Sequence, residues 1–287
     1  MAESAVIGNL TGARPARRRE RASATAISLR TVALVYVTVL VLVPVVVLLY
    51  RALSPGLASF FDTLNDPIAQ HAFQVTAVVA GISVVIDTVF GVAVAILLVR
   101  YRFPGRRLLS AFIDLPIAVS PIVVGLALVL VYSPTGWFGP FVESHGLVII
   151  NAKPGMVLAT VFVSLPLVAR AVIPVLEQVG TDQDQAAASL GANALIRFRR
   201  VTLPSIRIAL AYGIVLALAR CIGEYGAVLV VSGNISGQTQ TAPLLIGEYF
   251  QTFQRDQAYA IALVLVLVAF AAILAGAYIR RRQRRGN

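Results

Sequence analysis

Six apolar runs divide the chain, at 32–50, 75–99, 108–132, 156–176, 206–231 and 258–279. Each is long enough to cross a bilayer core of about 30 Å, which takes roughly 20 helical residues. None has the ten-residue alternation of a membrane barrel. Lipid offers no partner to an open backbone group, so helices are the expected form. The pattern predicts an all-α membrane protein with six transmembrane helices: a tail over 1–30, a membrane domain over 31–279 and a basic tail over 280–287. The first tail is rich in Arg, Ala and Ser and reads as disordered. The first run has a long basic lead-in and no small-residue cleavage site behind it, so it reads as an anchor, not a secretory signal.

Composition agrees. Hydrophobic residues make up 58% of the 287 and charged residues 13%, against roughly 45–50% and about 25% in a soluble chain. Too few charges are present to cover a soluble surface. The net charge of +11 could suggest nucleic acid, but the basic residues flank apolar runs and do not interleave with aromatics. Membrane lipid, not nucleic acid, is the expected surroundings. Nineteen of the 24 basic residues fall on one side of the predicted spans: the N-terminal tail, Arg100 to Arg107, Arg197 to Arg207, and the C-terminal tail. Arg51, Lys153 and Arg255 fall on the other. This bias places both termini in the cytoplasm.

Catalytic and metal signals are absent from the sequence. Cys221 is the single cysteine and lies in an apolar run, while His71 and His145 fall in separate loops. There is no H-E-x-x-H pair and no G-x-x-x-x-G-K-[ST] loop, so any ATP chemistry would belong to another chain.

The connection over 177–205 has more internal pattern than a loop needs. Asp182 with Gln185 three residues on can form a capping box. Ala186, Ala187, Ala188 and Leu190 favour helix, and Gly191 suits the left-handed position that ends one. A second short helix over 192–200 would present Leu195 and Phe198 together. Leu203-Pro204 should stop it, because a residue before proline avoids helical angles. The bland reading is a basic turn resting on headgroups; the sharper one is a docking element.

These residues carry a resemblance. Gln185-Ala186-Ala187-Ala188-Ser189-Leu190-Gly191, then nine residues, then Val201-Thr202-Leu203-Pro204, is similar to the E-A-A…G…I-x-L-P signature of ABC importer permeases. Gln185 stands where that family has Glu, and Asp184 keeps a carboxylate next door. The stretches RFPGRRLLSAFIDLPIAVSPIVVGLAL, TDQDQAAASLGA and ARCIGEYGAVLVVSGNISGQTQT resemble sulfate/thiosulfate importer permeases, the W-type subunit more than the T-type. The G-E-Y-G-A element occurs in molybdate and tungstate permeases too, so it marks oxyanions more broadly.

The resemblance implies a type I ABC importer permease fold in the bacterial cytoplasmic (inner) membrane. It implies that the segment 182–200, with Asp182, Asp184, Gln185, Ala186, Ala187, Gly191, Leu195, Phe198, Leu203 and Pro204, couples to an ATPase. The implied partners are a second homologous permease subunit, two ATP-binding cassette ATPase subunits and an extracytoplasmic sulfate-binding protein. No cofactor would be bound by this chain, since ATP and Mg belong to the ATPase.

Charges inside the runs need protein or water around them, because insertion at the bilayer centre costs at least about 2.5 kcal/mol each. Asp114 reads as a solvated helix start beside Arg106 and Arg107. Asp87 reads as a structural carboxyl bonded between helices, or as a relay group. Arg220 and Glu224, four apart on one helix, can pair. They form either a self-neutralising structural pair or an oxyanion contact, since guanidinium forks to two oxygens. Ser120, Pro121 and Gly125, with Pro116, Pro166 and Pro174, mark kinks that could serve a gate or simply bend a helix. Ser232, Asn234 and the small polar residues to Thr239 read as an external loop. Arg220, Glu224, Ser120, Pro121, Ser232 and Asn234 are thus the candidate translocation path.

The expected function is the membrane-spanning subunit of an ATP-driven importer for sulfate and thiosulfate. The alternatives are an importer for another oxyanion such as molybdate, or an ion-coupled carrier using Asp87 and Glu224. An intramembrane enzyme lacks any nucleophile–base arrangement.

Overall fold

The computed structural model describes residues 24–285, with side chains over 28–279. Residues 1–23 of the expected disordered tail lie outside the described residues. Every regular element described is helical.

The chain divides after Val47. In the first unit the described residues belong to α1 (Ala24–Leu53), which begins inside the stretch assigned to the tail. From Ser28 to Val47 every side chain is exposed. A helix apolar on all sides is what lipid accepts and water does not.

The second unit is organised around α3 (Pro67–Arg100) and α7 (Lys153–Val179). Asp66 opens α3 by accepting the Ile68 N–H at 2.9 Å, with Pro67 in the first turn, where its missing N–H costs nothing. Three apolar clusters succeed one another along α3. Ala69 and Ala72 pack with Leu245, Tyr249 and Ile261; Val75 and Val79 pack with Met156, Val124 and Val228; Val84 to Leu98 pack with Val168, Leu176 and Ile206. The last of these reaches α10 (Leu203–Ile222). α13 (Arg255–Arg285) closes the order and runs into the stretch assigned to a basic tail. Short helices α2 (Leu57–Asn65), α6 (Gly139–Ser144) and α12 (Ala242–Gln251) fill the connections; the apolar-run pattern gave no sign of them.

Two of the six expected spans are not continuous. The third is a pair, α4 (Arg106–Ala118) and α5 (Pro121–Tyr132), bent by 113°. Val119 and Ser120 are both extended, with ψ of 137° and 134°, and Pro121 excludes helical angles from Ser120. Proline inside a helix does not suffice for a break: α7 holds Pro166 and Pro174 and runs 27 residues without one. The fifth span ends at Ile222, and α11 (Gly226–Val231) starts afresh. Glu224 is the physical reason for the restart. Its carboxylate accepts the Ala227 N–H at 2.9 Å, taking one of the free donors that opens a helix.

The two interruptions meet. α5 packs on α11 so closely that a Cβ at Gly125 would stand 2.8 Å from the Ala227 carbonyl oxygen. A Cβ at Gly226 would stand 3.2 Å from that of Pro121. Small residues at such crossings let backbones approach where lipid supplies no hydrophobic drive between helices.

Candidate functional site

The segment after α7 forms α8 (Asp182–Ser189) and α9 (Ala194–Arg197). Helix α8 opens differently from the expected capping box. Thr181 is the N-cap, Asp182 lies in the first turn, and the Gln185 amide donates to the Thr181 hydroxyl at 3.3 Å. Asp182 and Asp184 still favour the positive end of the helix dipole. The end of α8 follows the sequence. Gly191 has φ +81°, its N–H donates to the Ala188 carbonyl at 2.9 Å, and the Ala192 N–H donates to that of Ala187 at 3.0 Å. This is a Schellman closure. Asn193 then caps α9 by accepting the Ile196 N–H at 2.9 Å.

Leu203-Pro204 does not stop the second helix. Residues Phe198–Thr202 form a π turn that runs into α10, with the Leu203 N–H bonded to the Phe198 carbonyl. A proline at 204 lacks an N–H, and its ring would strike the carbonyl four residues back. The wider turn absorbs both problems.

The element is exposed. No residue of α8 is buried, and Leu190 and Leu195 are 89% and 64% exposed. Ala186 is exposed, while Ala187 and Phe198 are half-buried. Asp184 turns inward: it pairs with Arg100 at the end of α3, and Thr202 donates to it at 3.5 Å. Sequence spacing could not foresee this link between α3 and α8, because its partners are 84 positions apart. It also places the Arg100 and Arg197 connections at one end of the molecule.

Ser120 and Pro121 stand at the first interruption, and Arg220 and Glu224 at the second. Arg220 Nη1 stands 2.6 Å from Glu224 Oε2; the arginine side chain is 37% exposed and the glutamate 2%. The carboxylate thus serves two partners, a guanidinium and the start of α11. Ser120 is exposed.

Ser232 and Asn234 lie beyond α11 in a self-contained polar knot that replaces the expected open loop. Ser232 is buried; its hydroxyl accepts the Asn234 N–H at 3.1 Å and its carbonyl the Thr239 hydroxyl at 2.6 Å. The Gln240 amide donates to Asn234 at 3.2 Å and to Glu248. Ser232 caps the far end of α11, away from its start at Glu224, and the polar atoms of Ser232 and Asn234 are occupied within the knot. Their signal was real but local: Gly233, Asn234 and Gly237 take positive φ.

Asp114 is partly exposed, as expected, but lies past the first turns of α4 and pairs with an arginine of another helix. Arg170 of α7 holds it through Nε at 2.7 Å and through Nη2, which also donates to Ser110 at 3.3 Å. Asp87 is fully buried, 2.5 Å from the Ser164 hydroxyl on α7, and the Cys221 thiol donates to Ser164 at 3.3 Å. That hydroxyl has one proton and two acceptors, since the Thr160 carbonyl is 2.7 Å away. An amide at position 87 would bring its own donor. Asp87→Asn is therefore expected to keep near wild-type abundance in the membrane, whereas Asp87→Leu, which takes the carboxylate from Ser164, should lower it. Abundance lost in Asp87→Asn as steeply as in Asp87→Leu would show that the ionised carboxylate itself is needed.

Comparison with known proteins gives a consistent likeness. Residues 87–285 match the family described as binding-protein-dependent transport system inner membrane component. The sulfate transport system permease protein CysW of Synechococcus elongatus is 44% identical over 267 residues, 93% of each chain. CysW of Escherichia coli K12 is 44% identical over 80% of this chain and 79% of its own. The sulfate transport system permease protein CysT of Salmonella typhimurium is 37% identical over 81% and 84%. Among solved structures, a bacterial ABC transporter involved in import of the acidic polysaccharide alginate superposes with a TM-score of 0.75. It covers 90% of this chain and 95% of that one at 16% identity, a likeness of fold.

Proposed function

This chain belongs to the family of binding-protein-dependent transport system inner membrane components, and on that premise we propose that it is the membrane-spanning permease subunit of an ATP-driven importer for sulfate and thiosulfate. The near-full-length likeness to sulfate permeases carries the reading. A second, homologous permease completes the pathway, two ATP-binding cassette subunits dock below, and an extracytoplasmic binding protein delivers the anion. ATP and Mg are used by the ATPases. The chain lies in the bacterial cytoplasmic membrane with both termini in the cytoplasm, in keeping with its basic bias.

The exposed Leu190 and Leu195, on two capped helices joined at Gly191, are what a docking element needs. Closure of the ATPases would move this element, and α10 leads from it without a break to Arg220. Alternating access then opens and closes the path at the paired interruptions. Ser120 and Pro121 supply a bend there, and Arg220 supplies a guanidinium that Glu224 partly neutralises. An anion site that must also release its ligand is better half-compensated than fully charged.

The test is radiolabelled sulfate uptake by proteoliposomes holding the complete complex. Uptake that needs internal ATP and the binding protein, and that excess thiosulfate suppresses, is the expected result. Uptake of molybdate unaffected by sulfate would give the chain to another oxyanion. Uptake driven by a proton gradient alone would make it a secondary carrier.

A further inference from the structure

A second cluster of guanidiniums lies between α3, α4 and α7. A recess of about 340 Å³ is lined by Arg106, Arg107, Ser110, Arg170 and Glu177, with Leu98, Val99 and Ile173 behind them. Arg170 is tied to Asp114. Among the described residues Arg106 and Arg107 have no ion-pair partner. Three guanidiniums thus face two carboxylates, leaving an excess positive charge.

Two features make this arrangement costly unless an anion uses it. Arg106 and Arg107 stand in the first turn of α4, at the helix end whose dipole disfavours cations by a few tenths of a kcal/mol or more. Arg170 and Asp114 are 42% and 41% exposed although each lies within an apolar span. Lipid would not tolerate an open ion pair there, so this face meets water or protein. Arg170 sits nine residues before the end of α7, about 13 Å along the helix. The cations therefore extend from the rim into the span.

We propose that this recess is an oxyanion site of this chain, separate from Arg220, at the cytoplasmic end of the path. It rests on the importer reading and deepens it. A tetrahedral oxyanion would take charge-assisted hydrogen bonds from Arg106, Arg107 and the free Nη1 of Arg170, with the Ser110 hydroxyl alongside. Asp114 holds Arg170 in place and limits the strength of the site, as release into the cytoplasm requires. A lipid phosphate offers the same chemistry at the rim. The depth of Arg170 favours a free anion.

The complete complex is measured in two ways, as wild type, as Arg106→Gln/Arg107→Gln and as Arg106→Lys/Arg107→Lys. The first measurement is sulfate uptake at saturating external sulfate and ATP, normalised to complex abundance. The second is the thermal midpoint of the detergent-solubilised complex without nucleotide or binding protein, with sulfate, with chloride of equal ionic strength, or with phosphatidylglycerol. Uptake should fall about tenfold in the Gln variant, the loss of roughly one charge-assisted hydrogen bond, and recover in large part with Lys. Sulfate should raise the wild-type midpoint more than chloride does, and much less in the Gln variant. Full uptake in the Gln variant, or an equal sulfate shift in all three, overturns the proposal. Stabilisation by phosphatidylglycerol alone, lost in the Gln variant, replaces the free anion with a lipid and overturns it too. Wild-type complex that takes up no sulfate tells against the importer reading instead, and sulfate stabilisation lost only in the Gln variant would then still identify an anion site.

Discussion

Gly191→Val is expected to abolish sulfate uptake while the chain still inserts in the membrane. The backbone there has φ +81°, and a Cβ would meet nothing within 4 Å. The obstacle is conformational, since a β-branched residue resists the left-handed region in which the Schellman closure is made. Strain of about 1–3 kcal/mol exceeds what a closure of two hydrogen bonds on a helix with no buried residue can offset. α8 should then lose its fixed angle to α9. Gly191→Asn, which tolerates positive φ, should retain most of the activity. Membrane abundance, binding of the ATPase subunits and substrate-stimulated ATP hydrolysis are measured in parallel. A Val variant that docks its ATPase and responds to substrate like wild type would remove α8–α9 from the coupling role.

The second large effect is expected at Arg220 and depends on whether Glu224 changes with it. Arg220→Gln alone leaves a carboxylate 2% exposed without its cation, and a buried charge left uncompensated is strongly destabilising. Complex abundance and uptake should both fall steeply. Adding Glu224→Gln removes the orphan charge, and its amide oxygen can still accept the Ala227 N–H that starts α11. The double variant should recover abundance but take up sulfate at less than about a tenth of the wild-type rate, the equivalent of one charge-assisted contact to the anion. The interaction between the two sites follows from the cycle of single and double variants. Recovery of uptake in step with abundance would reduce Arg220–Glu224 to a structural pair.

Periodicity and local chemistry made much of this legible. Long apolar runs located α1, α3, α7 and α13, because lipid selects for length and composition over any packing detail. Gly191 was readable because a glycine after a run of helix formers has few other uses. The interruptions were less so. Pro121 and Pro166 look alike in sequence, yet a new helix starts at the first and α7 runs straight through the second. Glu224 read as one half of a pair, whereas its second task at the Ala227 N–H depends on a chain break that hydropathy does not register. The partners of Asp114 and Asp184 were hidden for a single reason. Their partners, Arg170 and Arg100, lie 56 and 84 positions away, beyond any helical spacing.

The π turn at Phe198–Thr202 has a mechanical consequence. Where a proline was expected to end one rod and start another, Ala194–Ile222 is a single helical stretch of 29 residues, about 40 Å long. Such a rod works as a lever. If it pivots near its docking end, a turn of about 10° carries its far end, with Arg220, through about 7 Å over that length, more than the width of a dehydrated oxyanion. A flexible joint at Leu203-Pro204 would have taken up the same motion as slack.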